Sequence, residues 1–190
     1  MYKKLVSLGL LASSLFVSPV MAEEESGWVF GPAFEDGWEA DFTLALAANY
    51  IDPDISNVDG DGGLGLQLSL NCPWFQPPSG IIRQQFNLNQ FDNDGIKLTT
   101  FEINPRYYVE MTPSVRLGLG PGFGYMWTDA DVGDSEGMWT LQLGGDVEYR
   151  QGALFLGAGA RYMWTQDKAI GLTEDGADNW LVQLKAGVNF

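Results

Sequence analysis

From residue 41 onward the chain repeats one feature that leaves few folds open. Segments of roughly ten residues alternate apolar and polar side chains, and clusters rich in Gly, Asp, Asn and Pro separate them. Eight such segments can be counted, at 41–51, 63–72, 81–90, 98–109, 114–127, 138–150, 153–164 and 179–190. A period of two places alternate side chains on opposite faces of a strand. In the second segment Leu64, Leu66, Leu68 and Leu70 oppose Gly65, Gln67, Ser69 and Asn71. In the sixth, Trp139, Leu141, Leu143, Val147 and Tyr149 oppose Thr140, Gln142, Asp146, Glu148 and Arg150. The third is the least regular, because Ile82, Phe86 and Leu88 share their face with Gln84. The pattern predicts an all-β fold, an eight-stranded antiparallel up-and-down barrel.

Alternation alone also suits a soluble barrel with its apolar face inward. The aromatics decide between the two. With the first segment running outward and each neighbour reversing, Tyr50, Trp127, Trp139, Trp164 and Trp180 fall at the outer end of the apolar face, and Phe42, Tyr107, Tyr149 and Phe190 at the inner end. Trp139 and Tyr149 are ten residues apart, as are Trp180 and Phe190. At about 3.4 Å per residue and a tilt near 40°, that interval spans roughly 25 Å, the apolar height of a transmembrane barrel. Two aromatic girdles at membrane spacing have no counterpart in a soluble core. Basic residues follow the same logic: Arg83, Arg106, Arg116, Arg150, Arg161 and Lys185 all lie in the opposite register, facing a lumen. A charge facing hydrocarbon at mid-depth costs about 2–4 kcal/mol.

Residues 1–22 read as a secretory signal peptide. Lys3 and Lys4 form the basic start, Leu5 to Val17 the apolar stretch, and Val20-Met21-Ala22 the cleavage site, which places the mature start at Glu23. The mature chain keeps eight Lys+Arg against 25 Asp+Glu, a formal charge of −17, which argues against a nucleic-acid partner. Cys72 stands alone, so it can form no internal disulfide and reads as a small apolar residue near a turn. Residues 23–40 form a periplasmic N-terminal segment before the barrel of 41–190. With Trp28, Phe30, Phe34 and Trp38 the segment is too aromatic for a simple disordered tail. It can lie on the inner membrane surface or enter the lumen, and its composition does not choose.

With these segments, girdles and ends, residues 41–190 resemble the small eight-stranded Gram-negative outer-membrane barrels, the superfamily of the outer-membrane protein A transmembrane domain and the X and W families. The most specific piece is the terminal segment from Trp180 to Phe190. Its alternation and final Phe190 look like the signal that the barrel-assembly machinery reads in that family. The resemblance implies an outer-membrane location, with lipid and lipopolysaccharide as surroundings. Enzymes among such barrels rely on His, and this chain has none, so no catalytic residue and no cofactor are expected. The expected function is an envelope-structural or surface-interaction role, the alternative a narrow porin-like channel or carrier for small polar or amphipathic solutes.

Three constellations bear on that choice. Glu102, Asp146 and Glu148 share the lumen face with the six basic residues, as either a structural ion network or the lining of a polar conduit. Gly118, Gly120, Gly122 and Gly124, with Gly157 and Gly159, would leave part of the wall bare and favour a conduit. Pro105 and Pro121 lie within strands, and a turn centred near Thr112 pairs residue 105 with Leu119, making the prolines diagonal neighbours across a lateral seam. Resembling family members with strand prolines are thought to pass ligands through such a seam. The outer loops carry Asp52, Asp54, Asp59 and Asp61, then Asp129, Asp131, Asp134 and Glu136, then Asp167, Glu174, Asp175 and Asp178, where loose divalent cations could bridge to lipopolysaccharide phosphates. The stretch from Asn57 to Gly62 opens like a calcium loop, but Leu68 stands where the bidentate Glu belongs, so no metal site is expected.

Overall fold

The computed structural model describes residues 27–55, 58–133, 135–168, 170 and 176–190. The signal peptide and its cleavage point lie outside the described residues, as do Asn57, Asp134, Glu174 and Asp175.

Eight strands close into a barrel: β2 (Thr43–Pro53), β3 (Asp61–Asn71), β5 (Ile81–Asn93), β6 (Ile96–Thr112), β7 (Val115–Ala130), β8 (Gly137–Gln151), β9 (Leu154–Thr165) and β10 (Asn179–Asn189). Each pairs antiparallel with its sequence neighbour in the barrel, and β10 returns to β2, so this sheet has no free edge. Phe42 and Phe190 exchange backbone hydrogen bonds beyond the last β2–β10 rung, and their rings stack at 5.8 Å. Two short strands, β1 (Val29–Phe30) and β4 (Phe75–Gln76), form a separate ribbon. One 3-10 turn, Pro32–Phe34, is the sole helical element among the described residues, and it is far too short to cross a membrane.

Polarity is inverted relative to a soluble protein. Leu46, Leu64, Leu119, Leu141 and Leu184 are exposed on the outer wall, while Arg83, Glu102, Asp146, Arg161 and Lys185 are buried inside. A closed barrel with this distribution spans a membrane by its strands.

Two local expectations are corrected, and a third holds with a qualification. The segment expected at 91–96 as an outer loop is strand up to a two-residue turn at Asp94-Gly95, both with positive φ. That dipeptide is a strong signal for a two-residue hairpin, so β5 and β6 extend past the segments drawn from alternation alone. Pro105 and Pro121 are directly opposite rather than diagonal. The β6–β7 turn is only Pro113-Ser114, and an irregularity between Glu110 and Thr112 carries the register on, with Ile103 facing Phe123 and Tyr107 facing Leu119. Lastly, Ile82 and Gln84 do face outward in register, but both are buried, unlike the exposed Leu88 two rungs further along.

Candidate functional site

The lumen is where the charged candidates gather, because alternation on eight strands aims them all at one axis. At the inner mouth Asp41, just before β2, receives Arg83 at 2.8 Å and Arg150 at 2.6 Å, with Arg116 at 3.9 Å. Asp41 adopts a φ of 47°, a left-handed conformation an Asp tolerates better than most residues, and it is the residue that alternation failed to nominate. A carboxylate directly preceding the first strand, on a lumen short of acids, was its only signal. Arg116 also pairs with Glu110 at 2.9 Å on the more exposed rim.

Deeper in, Asp146 holds two cations, Lys185 at 2.6 Å and Arg106 at 3.2 Å. Tyr108 donates to Glu148 at 2.7 Å and accepts from Gln85 at 2.7 Å. Toward the outer side Glu102 receives Arg161 at 2.5 Å, together with Thr100, Asn89, Asn104 and Gln142. All nine charged candidates therefore meet in one interior, each within reach of an opposite charge or, for Glu148, also a tyrosine hydroxyl.

The glycines of β7 do not leave the wall bare. Gly118 underlies the Tyr108 ring, and a side chain on it would strike that ring; Gly120 meets the Pro105 carbonyl, and Gly122 the Asn104 side chain. Two lumen side chains of β6, Tyr108 and Asn104, thus lie over Gly118 and Gly122, while Gly120 and Gly124 lie against the β6 backbone at the Pro105 and Phe101 carbonyls. On β9, Gly159 makes room for Asp146 and Gly157 for Lys185.

At the outer end the lumen changes character. Ile51, Phe91, Ile96, Leu98, Met126, Met138, Met163 and Leu181 turn inward and pack with Ile55, Ile170 and Ala177 from the loops. Sequence reading assigned this face to polar residues and missed the cluster. Its signal was an apolar residue in the lumen register near the outer end of every barrel strand except β3. Between the cluster and the Glu102–Arg161 pair about 10 Å³ of cavity remains, room for a single water at most.

On the outer wall the aromatic candidates sit at strand ends, exposed except for the half-buried Phe42 and Tyr149. Trp139 and Trp127 both meet Tyr125 edge-on at 5.1 and 5.0 Å, and Trp164 and Trp180 meet Tyr162 at 5.0 and 5.1 Å. Tyr50, Tyr107 and Phe190 are exposed too, whereas Tyr149 donates to Gln151 at 2.6 Å. The β6–β7 ladder lacks its rungs from Asn104 to Arg106, because neither proline of the central rung has an N–H. The Arg106 guanidinium fills that gap from the lumen by donating to the Gly120 carbonyl, with Pro121 O at 3.4 Å.

Among the described residues no group of three or more metal-ligating side chains assembles, and the outer-loop acids remain dispersed. Asp178 is engaged with Thr165 and Tyr162, and Asp94 accepts from the Asp59 amide.

No protein-family model matches the sequence, and no curated protein sequence does. Solved structures do match. The N-terminal β-barrel domain of Pseudomonas aeruginosa OprF is 13% identical, with 80% of this chain and 100% of that chain covered and a TM-score of 0.55. The outer membrane protein OprG of the same organism is 18% identical over 80% and 96%, also at 0.55. Neisserial surface protein A is 19% identical over 78% and 95%, at 0.52. Identities this low speak for fold alone, and that fold is the small eight-stranded β-barrel of outer-membrane proteins.

Proposed function

We propose that the protein is an integral barrel of the Gram-negative outer membrane that performs no catalysis and acts at the cell surface through acidic outer loops. The observation that carries this reading is the sealed lumen. Paired charges fill its inner part, an apolar cluster fills its outer end, and about 10 Å³ is left between them. A tube so filled holds a shape and presents loops; it offers no path to a hydrated solute. Exposed carboxylates at the outer rim and loops, such as Asp52 and Asp129 on strand ends and Asp167 in a loop, suit loose divalent cations shared with lipopolysaccharide phosphates. The terminal strand, ending in the exposed Phe190, suits recognition by the barrel-assembly machinery. Planar-bilayer recording tests the seal: the purified protein should give no discrete conductance steps, and steps of uniform size would overturn it in favour of a channel.

A second reading rests on the interrupted β6–β7 ladder. Pro105 and Pro121 thin the wall there, and an apolar or amphipathic ligand moving between lumen and lipid would cross at that rung. The Arg106 contacts would have to open first.

A further inference from the structure

The β1–β4 ribbon is not part of the barrel, and its two faces differ. On one face Gln76 bonds the barrel: its amide nitrogen donates to the Ile82 and Cys72 carbonyls at 2.9 and 3.1 Å, and its carbonyl accepts from the Ile82 amide at 2.8 Å. Val29 is the register partner of Gln76, so it shares that face and is half-buried. The opposite face carries Phe30 and Phe75, which pair with each other, and Trp28, whose ring lies 6.3 Å from Phe75. Trp28 is 54% exposed and Phe30 79%; Phe34, on the turn that follows, is 94% exposed. Water-exposed aromatics at that density are costly in a soluble segment.

The ribbon's position says what covers them. Cys72, Ile82 and Gln84 point outward from β3 and β5, toward lipid, yet are buried. The connection that leaves Cys72 and returns at Ile81, with β1 hydrogen-bonded along it, reaches the Cys72 and Ile82 part of this patch through Gln76. Ile82 is in register with Tyr107, a residue of the inner aromatic girdle. The ribbon therefore sits beside the barrel wall at girdle height, and its aromatic face points away from the wall.

We infer that this aromatic face is a membrane-interface anchor: Trp28, Phe30 and Phe34 insert among the headgroups and upper acyl chains of phospholipids in the periplasmic leaflet, extending the inner girdle sideways. The amphipathic Trp28 ring favours that zone, the Phe30 and Phe34 rings gain by burial beside it, and the patch is continuous with the lipid-facing wall. The inference rests on the membrane placement proposed above, and its test separates the two.

The full chain is reconstituted in vesicles of phosphatidylethanolamine and phosphatidylglycerol, with Cys72→Ala and a nitroxide at Phe30→Cys. Collisions with oxygen, which partitions into lipid, are compared with those of a water-soluble nickel chelate. Leu184→Cys, on the mid-height outer wall, and Val132→Cys, exposed in an outer loop, are the references. Oxygen should dominate at residue 30 by a ratio several-fold above that at 132 and below that at 184. Nickel dominating at 30 while oxygen dominates at 184 overturns the anchor and leaves the barrel in the membrane. Nickel dominating at both overturns the membrane placement as well. Shielding from both reagents at 30 overturns the anchor in favour of a protein contact. Should the cysteine variants fail to fold, quenching by lipids brominated high on the acyl chain serves without them. Trp28→Phe should lower the quenched fraction of tryptophan emission, and an unchanged fraction overturns the proposal.

Discussion

At the inner end of the lumen Asp41 draws three arginines together, whereas at the outer end Met126, Met138 and Met163 pack against Leu98 and Phe91 in a cluster with no charge. Both ends are filled, by opposite means. The inner filling lies within the stretch of wall that faces hydrocarbon, where each charge has an opposite charge in reach to offset its desolvation, although Arg161 bonds Glu102 through one nitrogen and leaves two others buried without a hydrogen bond. The outer filling is built from strand ends and loops, as in a small soluble protein, and its stability comes from packing. Geometry is demanding in the first case and volume in the second, so the two should answer differently to substitution.

The largest effect is expected where one acid serves two bases. Asp146→Leu strands Lys185 and Arg106 in the interior, and unfolding in urea from lipid vesicles should show a loss on the order of 3–5 kcal/mol. Arg161→Met alone should behave similarly by orphaning Glu102, while Arg161→Met combined with Glu102→Leu should cost less than either single change. A double variant as poor as the sum of the singles would mean that the two residues act independently and not as a pair.

Met138→Ala in the outer cluster should cost less, about 2–4 kcal/mol from lost burial and the cavity left behind, and Met138→Leu under about 1.5 kcal/mol. Equal penalties for the two would show that the cluster does not behave as a volume-filled core.

The smallest effect concerns the wall between the two ends. By hydrogen exchange in detergent, amides of residues 103–107 and 117–123 should exchange faster than those of β10, whose ladders with β2 and β9 are unbroken. Arg106→Met should widen the difference, since it removes the side chain bound to the Gly120 carbonyl. Equal protection would remove the basis for lateral passage.

The strands were legible because one face meets lipid and the other does not, which writes a period of two into every segment. The girdle positions and the convergence of nine charges followed from the same period. What alternation does not encode is who fills whose space. Gly118 and Gly120 read as missing wall because a sequence lists the absence of a side chain without the Tyr108 ring or the Pro105 carbonyl that occupies the gap. The outer cluster was hidden for a related reason: near the water interface the lumen face no longer has to be polar, so Leu98 and Met126 follow the correct face with the opposite chemistry. The seam was placed two residues off because the turn sits at Pro113-Ser114, further along the chain than Thr112, with a register shift between Glu110 and Thr112. Asp41 escaped notice because its role depends on three arginines from distant strands.

The outer cluster also gives the two ends different thermal behaviour. Burial of apolar side chains from water weakens on cooling, because its driving force near room temperature is entropic and carries a large heat-capacity change. The paired charges at the inner end do not share that dependence. Cooling should therefore weaken the apolar end of this barrel, around Ile55, Ile170 and Ala177, before the end filled by paired charges. The loops at that end are thus held by the part of the molecule whose grip depends most on temperature.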